Sequence, residues 1–378
     1  MSSQSSPRRA SRYDFQLPRG APCLHAGLSK TCFDWTDSKQ IIAPNDFAFA
    51  KVGNWGGKTP EGIEAGLKYH VIKTPINTLS IPKGDSIFAA TTLDDPRFSN
   101  VTGGQQLILT KQPGGEVVLT SGFATRGTIV VEDIAFESGI VQVVDSVMRI
   151  PEPLDSTARN AYTDLTAFLG ALSLTGIADD ILAAKDVTVL APRNAAFQQL
   201  AGVLHDTPVD DLKRILHYHI IPDAVLHSWE LQNGSSLISA EKKKPMEITR
   251  LGNYIFANSA QLLQTDILLS NGLVQMLDNI LSPDHADARP DVTATAQRPV
   301  ITPSGATVTG TAAPVPFTSN LPCTSDCPET ATFNDKAPTA RPTSTFVPMP
   351  DSAPPSHSGL LGVGIGAGLV VGALFMGI

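Results

Sequence analysis

Cysteine and basic residues are both scarce in this chain of 378 residues, and their scarcity excludes two classes of protein. Four cysteines are too few for a scaffold held together by disulfides. The chain has 28 Lys and Arg against 36 Asp and Glu, a net charge of −8 and a pI of about 5.5. A nucleic-acid surface needs a basic excess, so we expect no nucleic-acid partner.

The sequence also lacks the short motifs of common catalytic sites. It contains no Gly-x-Ser-x-Gly turn, no Walker loop and no His-Glu-x-x-His pair. His217 and His219 lie two residues apart on a predicted helix and point to different faces, which is poor geometry for a shared metal. We therefore expect no catalytic residue, no cofactor and no metal site, and the chain is predicted not to be an enzyme.

The N-terminus has no apolar run of the kind that a secretory signal peptide requires. We expect residues 1–35 to be a disordered, atypical segment. The sequons, the stalk and the apolar tail described below are typical of a secreted or surface protein, so the missing signal peptide needs an explanation, and two stay open. Either an incorrectly assigned start has removed a signal peptide, or the protein is tail-anchored and inserted after translation.

The C-terminal end, residues 359–378, is uncharged and apolar. From Leu360 onward a helix of about 19 residues would measure roughly 28 Å, barely enough to cross the hydrocarbon of a bilayer. One interpretation is a GPI-attachment signal, with Asp351 or Ser352 as the candidate attachment residue. The other is a retained transmembrane helix, whose Gly-x-x-x-Gly pairs could pack two such helices.

Residues 285–358 are rich in Pro, Thr, Ser and Ala, and this composition buries too little apolar surface to offset ordering. It predicts a disordered, O-glycosylated stalk. The sequons at Asn100 and Asn233 are candidate sites for N-linked glycans. Whether the cysteines form disulfides stays open for two pairs: Cys23 with Cys32, and Cys323 with Cys327.

Three landmarks occur twice, in the same order, within the region that precedes the stalk. They are residues 41–49 and 189–197, residues 67–72 and 216–221, and residues 138–145 and 271–278. Pro44 lies 26 positions before His70, and Pro192 lies 27 positions before His219. The matching order and spacing predict two copies of one domain.

The pattern of the second copy predicts an α+β domain with helices first and strands later. The predicted elements are a helix with Leu165, Phe168, Leu169 and Leu172 on one face, a short helix near residues 177–182, a strand over residues 187–190, a helix capped by Asn194, a helix over residues 212–219 that Pro222 ends, and a buried strand over residues 272–281.

These landmarks resemble the fasciclin (FAS1) domain. That family has a T-V-F-A-P-T-[ND]-x-A-F block, a Tyr-His pair, and an N-G-x-[IV]-x-x-[IV]-D-x-[IV]-L-x-P block; Arg193 stands where the first block usually has Thr. The first copy departs from the family at its start, where residues 14–40 lack two expected apolar helices. It is also longer between His70 and Gly139, and two Gly-Gly pairs there predict turns.

The resemblance implies a β-sandwich wedge with flanking helices, usually in tandem on extracellular, often GPI-anchored, adhesion proteins. We place an N-terminally incomplete first domain at residues 36–152 and the second at 153–284. The stalk (285–358) and the tail (359–378) follow.

In relatives, the Tyr-His segment and the Asp of the last block have been linked to receptor binding. The corresponding residues here are Tyr69, His70, Tyr218, His219, Asp145 and Asp278. They are either adhesion contacts or core and capping residues that maintain the fold. The helical spacing of His219 with Leu212 and Ile215 places its ring toward the core and favours the second interpretation.

The sequence therefore predicts a cell-surface anchored adhesion or binding protein without catalytic activity. It would present FAS1 domains to extracellular matrix, cell wall or other cells. The expected partners are the membrane, extracellular protein or glycan ligands, and other copies of the chain. The alternative is a membrane-anchored FAS1 protein of an internal compartment such as the vacuole, acting in membrane contact or trafficking.

Overall fold

Two seven-stranded β-sheets account for the two sequence copies. A computed structural model describes residues 39–52, 59–137, 139–242, 244–294, 296–301 and 314–321. All of them lie in the first of the two compact units into which the chain divides, Met1–Ser325. The second unit, Asp326–Ile378, and the first 38 residues lie outside the described residues.

The first domain begins with a strand and two helices and continues as a run of antiparallel strands. Its described helices are α1 (Asp46–Val52) and α2 (Pro60–Tyr69), and its strands are β1 (Lys39–Pro44), β2 (Val71–Ile72), β3 (Ser86–Ala90), β4 (Gln106–Lys111), β5 (Val117–Thr120), β6 (Arg126–Phe136) and β7 (Gly139–Val144). The strands pair in the order β2-β1-β7-β6-β5-β4-β3, and β1 runs parallel to β7.

The second domain repeats this order of strands. Among the described residues it has three helices before its first strand, and three helices between its first two strands where the first domain has two. Its helices are α3 (Leu154–Asn160), α4 (Thr166–Leu174), α5 (Ala178–Ala183), α6 (Asn194–Gln199), α7 (Ala201–Asp206) and α8 (Val209–Tyr218). Its strands are β8 (Val187–Pro192), β9 (Ile220–Ile221), β10 (Ser236–Ile238), β11 (Pro245–Leu251), β12 (Tyr254–Ala257), β13 (Ala260–Leu269) and β14 (Gly272–Leu277). The order β9-β8-β14-β13-β12-β11-β10 repeats that of the first domain. The prediction of two α+β copies is confirmed.

Each sheet bends until its two end strands nearly meet. In the first domain, the amide of Lys73, just after β2, donates to the carbonyl of Ala90 in β3 at 2.9 Å. In the second, Ala240, after β10, donates to Ile220 in β9 at 2.8 Å. The expected sandwich is thus one nearly closed sheet per domain, continuous through β6 and β13, each of which carries two register shifts.

The core of the second domain forms where helices cover the central parallel pair. Every residue of β8 and of β14 is buried, as expected of strands covered on both faces. The predicted helix with Phe168 and Leu172 is α4, which packs on α6 and α8, and the predicted short helix is α5.

Two helix ends differ from the sequence prediction. Asn194 does not cap α6, because its Oδ1 accepts the amide of Ala167 at 2.8 Å and its Nδ2 donates to the carbonyl of Thr163 at 2.9 Å. Asn194 therefore holds the start of α4. Helix α8 ends at Tyr218, before Pro222 is reached, because the carbonyl of His219 already accepts the amide of Leu190 at 2.8 Å.

The chain beyond the second domain stays packed against it further than the sequence predicts. The side chain of Asn279 donates to the carbonyl of Gln297 at 2.9 Å, and Arg289 forms an ion pair with Glu247 at 2.7 Å. Ile301, Val315, Phe317 and Leu321 pack against the apolar core. The prediction of a stalk from residue 285 is therefore wrong for residues 285–301 and 314–321 where described, because a few apolar side chains suffice to hold a proline-rich segment.

Candidate functional site

The histidine of each Tyr-His pair links a helix to the chain beyond the last strand of its domain. Nδ1 of His219 lies 2.8 Å from the carbonyl oxygen of Ile215, and Nε2 accepts the amide of Leu281 at 3.0 Å. In the first domain, Nδ1 of His70 lies 2.7 Å from Gly66 O and Nε2 accepts the amide of Met148 at 3.0 Å. An amide N–H needs an unprotonated acceptor, so both rings are neutral, with the proton on Nδ1.

Burial sets the protonation of His219. The ring is fully buried, and desolvation lowers its pKa from 6.5 to about 4, although the hydrogen bond to the Ile215 carbonyl opposes the shift. Its Nε2 already accepts a backbone amide, so the ring has no free basic nitrogen to offer a substrate or a metal. His219 faces the core, on the side that the helical spacing predicts.

The tyrosine of each Tyr-His pair bonds to the equivalent strand of its own domain, β4 in the first and β11 in the second. The hydroxyl of Tyr69 donates to the carbonyl of Gln106, the first residue of β4, at 2.9 Å. The hydroxyl of Tyr218 donates to the carbonyl of Pro245, the first residue of β11, at 2.9 Å. Both rings are fully buried, and burial raises the pKa of each phenol. These hydroxyls join α2 to β4 and α8 to β11.

The two aspartates cap the end of the last strand. Oδ1 of Asp145 accepts the amide of Thr128 at 2.7 Å, and Oδ1 of Asp278 accepts the amide of Gln261 at 2.7 Å. Burial raises the pKa of Asp278, and its hydrogen bonds to backbone amides partly offset this. Because Asp278 turns its carboxylate onto the backbone, β14 ends at Leu277, four residues before the predicted end.

A second repeated pair, which the sequence prediction missed, fixes the bend of each sheet. Gln142 Oε1 accepts the amide of Asp133 at 2.9 Å, and its Nε2 donates to Oδ1 of Asp133 at 2.6 Å. Gln275 and Asp266 repeat this pattern at 2.9 and 3.0 Å. Both aspartates have positive φ, 55° and 62°, at a register shift. The sequence did contain a signal for this pair, because Gln142 and Gln275 stand at the same position in the two copies of the last landmark.

The sequon at Asn100 lies in the contact between the two domains. Its Nδ2, the atom that a glycan would modify, donates to the carbonyls of Ala183 and Ala184 at 3.2 Å. Thr102 donates its amide to Asp186 Oδ1 at 2.6 Å, and its hydroxyl to Oδ2. The prediction of a glycan at Asn100 is therefore incompatible with this packing, whereas Asn233 is exposed.

A second part of the domain contact centres on His227. Its ring lies 3.9 Å, centroid to centroid, from that of Phe88, and its Nε2 lies 2.6 Å from Oε1 of Gln106. Ile108, Leu268 and Leu273 form a small apolar cluster next to it. The long Gly-rich insertion of the first copy supplies part of this contact, so the two domains form one docked pair.

Equivalent apolar positions differ in exposure between the domains. Phe197 on α6 and Leu216 on α8 are 1% exposed, because α4 covers them. Their counterparts in the first domain, Phe49 on α1 and Leu67 on α2, are 42% and 65% exposed. The prediction that residues 14–40 lack the opening helices falls outside the described residues, except for Lys39 and Gln40, which begin β1.

Several predicted sites lie outside the part of the chain that the structure describes. These are the candidate attachment residues Asp351 and Ser352, all four cysteines, the tail and most of the stalk. Within the described ranges, no cluster of three or more His, Cys, Asp and Glu could hold a metal ion. No helix among the described residues is both long and apolar enough to cross a membrane.

The docked pair of nearly closed sheets, with its repeated Tyr-His and Asp capping contacts, defines a tandem-domain protein. The fasciclin domain family model matches residues 27–151 and 163–283, so the chain belongs to the fasciclin domain family.

Relatives include proteins of fungi and animals. A "Fasciclin-like arabinogalactan protein" of Arthroderma benhamiae is 30% identical over 54% of this chain and 47% of its own. The "Fasciclin-like arabinogalactan protein CTB11" of Cercospora beticola is 28% identical over 51% of this chain and 52% of its own. "Periostin" of Homo sapiens is 26% identical over 48% of this chain and 21% of its own. The chain thus spans about half the length of the two fungal relatives.

Among solved structures, a FAS1 domain pair from the insect cell adhesion molecule Fasciclin I is similar. It is 16% identical, with a TM-score of 0.35, over 67% of this chain and 91% of that chain.

Proposed function

We propose that this protein is a cell-surface anchored adhesion or binding protein without catalytic activity of its own. It presents its FAS1 pair to extracellular matrix, cell wall or other cells. Family membership supports the proposal, as do the fungal relatives described as fasciclin-like arabinogalactan proteins.

The observation that carries the proposal is that the six Tyr, His and Asp residues of the repeated motifs bond within their own domains. Both ring nitrogens of His70 and His219, the hydroxyls of Tyr69 and Tyr218, and the carboxylates of Asp145 and Asp278 bond to groups of their own domain. Side chains committed in this way to the backbone stabilise a fold. We infer that the protein acts through the surface of folded domains, and that the motif residues keep those domains folded.

The domain contact supports presentation as one unit. Thr102 and Asp186, Asn100 and the end of α5, and His227 with Phe88 join the domains through directional bonds as well as apolar packing. A docked pair offers a ligand one continuous surface and loses less conformational freedom on binding than two loosely linked domains would.

The anchoring part of the proposal rests on the sequence. The Pro-, Ser- and Thr-rich sequence after Leu321 would hold the pair away from the membrane, and a GPI anchor at Asp351 or Ser352 would attach it. The partners are then the membrane at one end and extracellular protein or glycan ligands, or other copies of the chain, at the other. A glycan at the exposed Asn233 suits this setting.

Bead binding tests the binding function. Beads coated with the purified chain should bind cell walls, matrix or each other. Beads coated with the His219→Ala variant should bind equally well at temperatures where that variant is still folded, because the ring is internal. Calorimetry must run in parallel, since we expect a lower melting temperature for this variant. A variant that kept its melting temperature but lost binding would make His219 a contact residue and contradict the proposal.

A further inference from the structure

The segment of residues 314–321, called the strap here, lies in an apolar groove on the second domain. The groove runs between α4, α7 and α8. Phe317 is the centre of the contact: its ring meets that of Phe197 edge-on, with centroids 6.0 Å apart. Val315 and Leu321 pack against the same core.

The strap and the groove are complementary in shape. Gly170 on α4 faces the carbonyl oxygen of Phe317, and a Cβ at this position would overlap that oxygen. Phe317 itself has a φ of 63°, a left-handed conformation that is uncommon for a residue with a side chain. The conformation is held locally, because the amide of Asn320 donates to the carbonyl of Phe317 at 2.9 Å. A glycine at the point of closest approach and a fixed turn in the strap are features of a fitted contact.

The groove is larger than the part of it that the strap fills. A cavity of about 460 Å³ remains beside the strap, lined by Leu174, Leu204, Val209 and Leu212 on the helix side and by Pro314 and Phe317 on the strap side. Its walls are mainly apolar, and its occupant is a short segment with an aromatic residue preceded by prolines. The groove therefore suits an apolar, uncharged peptide whose chain turns after the aromatic residue, as the strap does at Thr318–Asn320.

The chain length between the strap and the domain allows this segment to reach a second molecule. Residues 302–313 separate the strap from Ile301. Twelve extended residues span at most about 40 Å. Exchange of identical elements between copies is a low-cost route to association, because each interaction formed between two molecules replaces the same interaction within one.

We propose that this groove is a peptide-binding site for the Pro314–Leu321 sequence. Between molecules, the strap of one copy of the chain binds in the groove of a second copy. Within one molecule, the strap occupies its own groove and competes with the exchange. At the high local concentration of a cell surface, exchange joins two copies. This would be the homophilic form of the adhesion proposed above and rests on that function for its purpose. The groove and its occupant can be tested independently on purified protein.

Two substitutions in the full-length chain test the strap and the groove separately. Phe317→Ala removes the ring and leaves the groove intact. Gly170→Ala blocks the groove and leaves the strap intact. Gly202→Ala on α7 is the matched control, because a Cβ there has nothing within 4 Å. Circular dichroism checks the fold of each variant, and Phe317→Leu replaces Phe317→Ala if the latter unfolds.

The first measurement is the binding of a fluorescent peptide with the sequence of residues 312–322. The Phe317→Ala chain should bind it at least about tenfold more tightly than the wild-type chain, whose own strap competes at high effective concentration. Adding Gly170→Ala to Phe317→Ala should abolish binding, and adding Gly202→Ala should not. Equal binding to both double variants, or no binding to the Phe317→Ala chain, would overturn the groove as a peptide site.

The second measurement is a mixing experiment with differently labelled chains. Neither the Phe317→Ala chain nor the Gly170→Ala chain should pair with itself, because the first lacks a strap and the second lacks a groove. Their mixture should give energy transfer, as the free strap of one enters the open groove of the other. Peptide binding without pairing in the mixture would confine the strap to its own molecule and overturn the second copy as partner. Neither result bears on surface display.

Discussion

Acidification should destabilise the second domain through His219. The ring has a pKa of about 4 in the folded chain, against an ordinary value of 6.5. Above pH 6.5 it is neutral in the folded and the unfolded chain. Between these values the unfolded chain binds a proton that the folded chain does not. The stability contributed by neutral His219 is therefore present above pH 6.5 and is lost as the pH falls through about 4.

The size of this effect follows from the difference between the two pKa values. One pKa unit corresponds to about 1.4 kcal/mol, so the full effect on the free energy of unfolding is about 3 kcal/mol. The structural event is specific. A proton on Nε2 removes the acceptor of the Leu281 amide, which leaves a buried N–H unpaired and breaks the link from α8 to the chain after β14.

Urea unfolding of the wild type and of His219→Gln between pH 7.5 and 4 measures the effect. Groups that titrate in both proteins cancel in the difference between them. The wild type should be more stable at pH 7.5, and this advantage should shrink by about 3 kcal/mol by pH 4. His205→Gln is the control, since His205 is 86% exposed on α7 and should give a curve parallel to the wild type. A wild-type advantage that stays constant with pH would refute the reasoning.

Three further substitutions test other contacts. Tyr218→Phe should lower the free energy of unfolding by about 1–2 kcal/mol in urea titrations, because the Pro245 carbonyl loses its donor; unchanged stability would show that this bond contributes nothing. Leu216→Ala should cost about 2–4 kcal/mol and Leu67→Ala less than about 1 kcal/mol, since the first is buried and the second mostly exposed; equal costs would contradict the difference between the domains. Asp186→Asn should weaken the contact with Thr102 and separate one calorimetric transition into two, whereas an unchanged single transition would show that the bonds between Thr102 and Asp186 do not couple the domains.

The sequence predicted the repeat and most of the second domain, because these depend on local pattern. The apolar run at β8 and the helical spacing of α4 and α8 reflect burial of one face or of a whole strand. Gly272 in the last landmark also has a local cause, since a Cβ there would overlap the Val187 carbonyl of the parallel neighbour β8.

What the sequence could not predict depends on partners distant in the chain. Asn194 is a residue type that often caps the helix it begins, and the sequence predicted that it would cap α6. Instead, its side chain accepts the amide of Ala167 at the start of α4, 27 residues earlier in the chain. Asn100 has the pattern of a glycosylation site, but its surroundings come from the second domain. The strap has the composition of a disordered stalk. It is held against the second domain because Phe317 packs on Phe197 in the groove. In each case a local rule was overridden by tertiary contact.

Treatment of intact cells with a phospholipase specific for phosphatidylinositol is the most direct test of the central claim, that this chain displays its FAS1 pair at the cell surface on a lipid anchor. The account predicts that the enzyme releases the protein into the medium, where antibody to the second domain detects it. Retention of the protein by the cells after the same treatment, in internal membranes or on a spanning helix, would contradict the account.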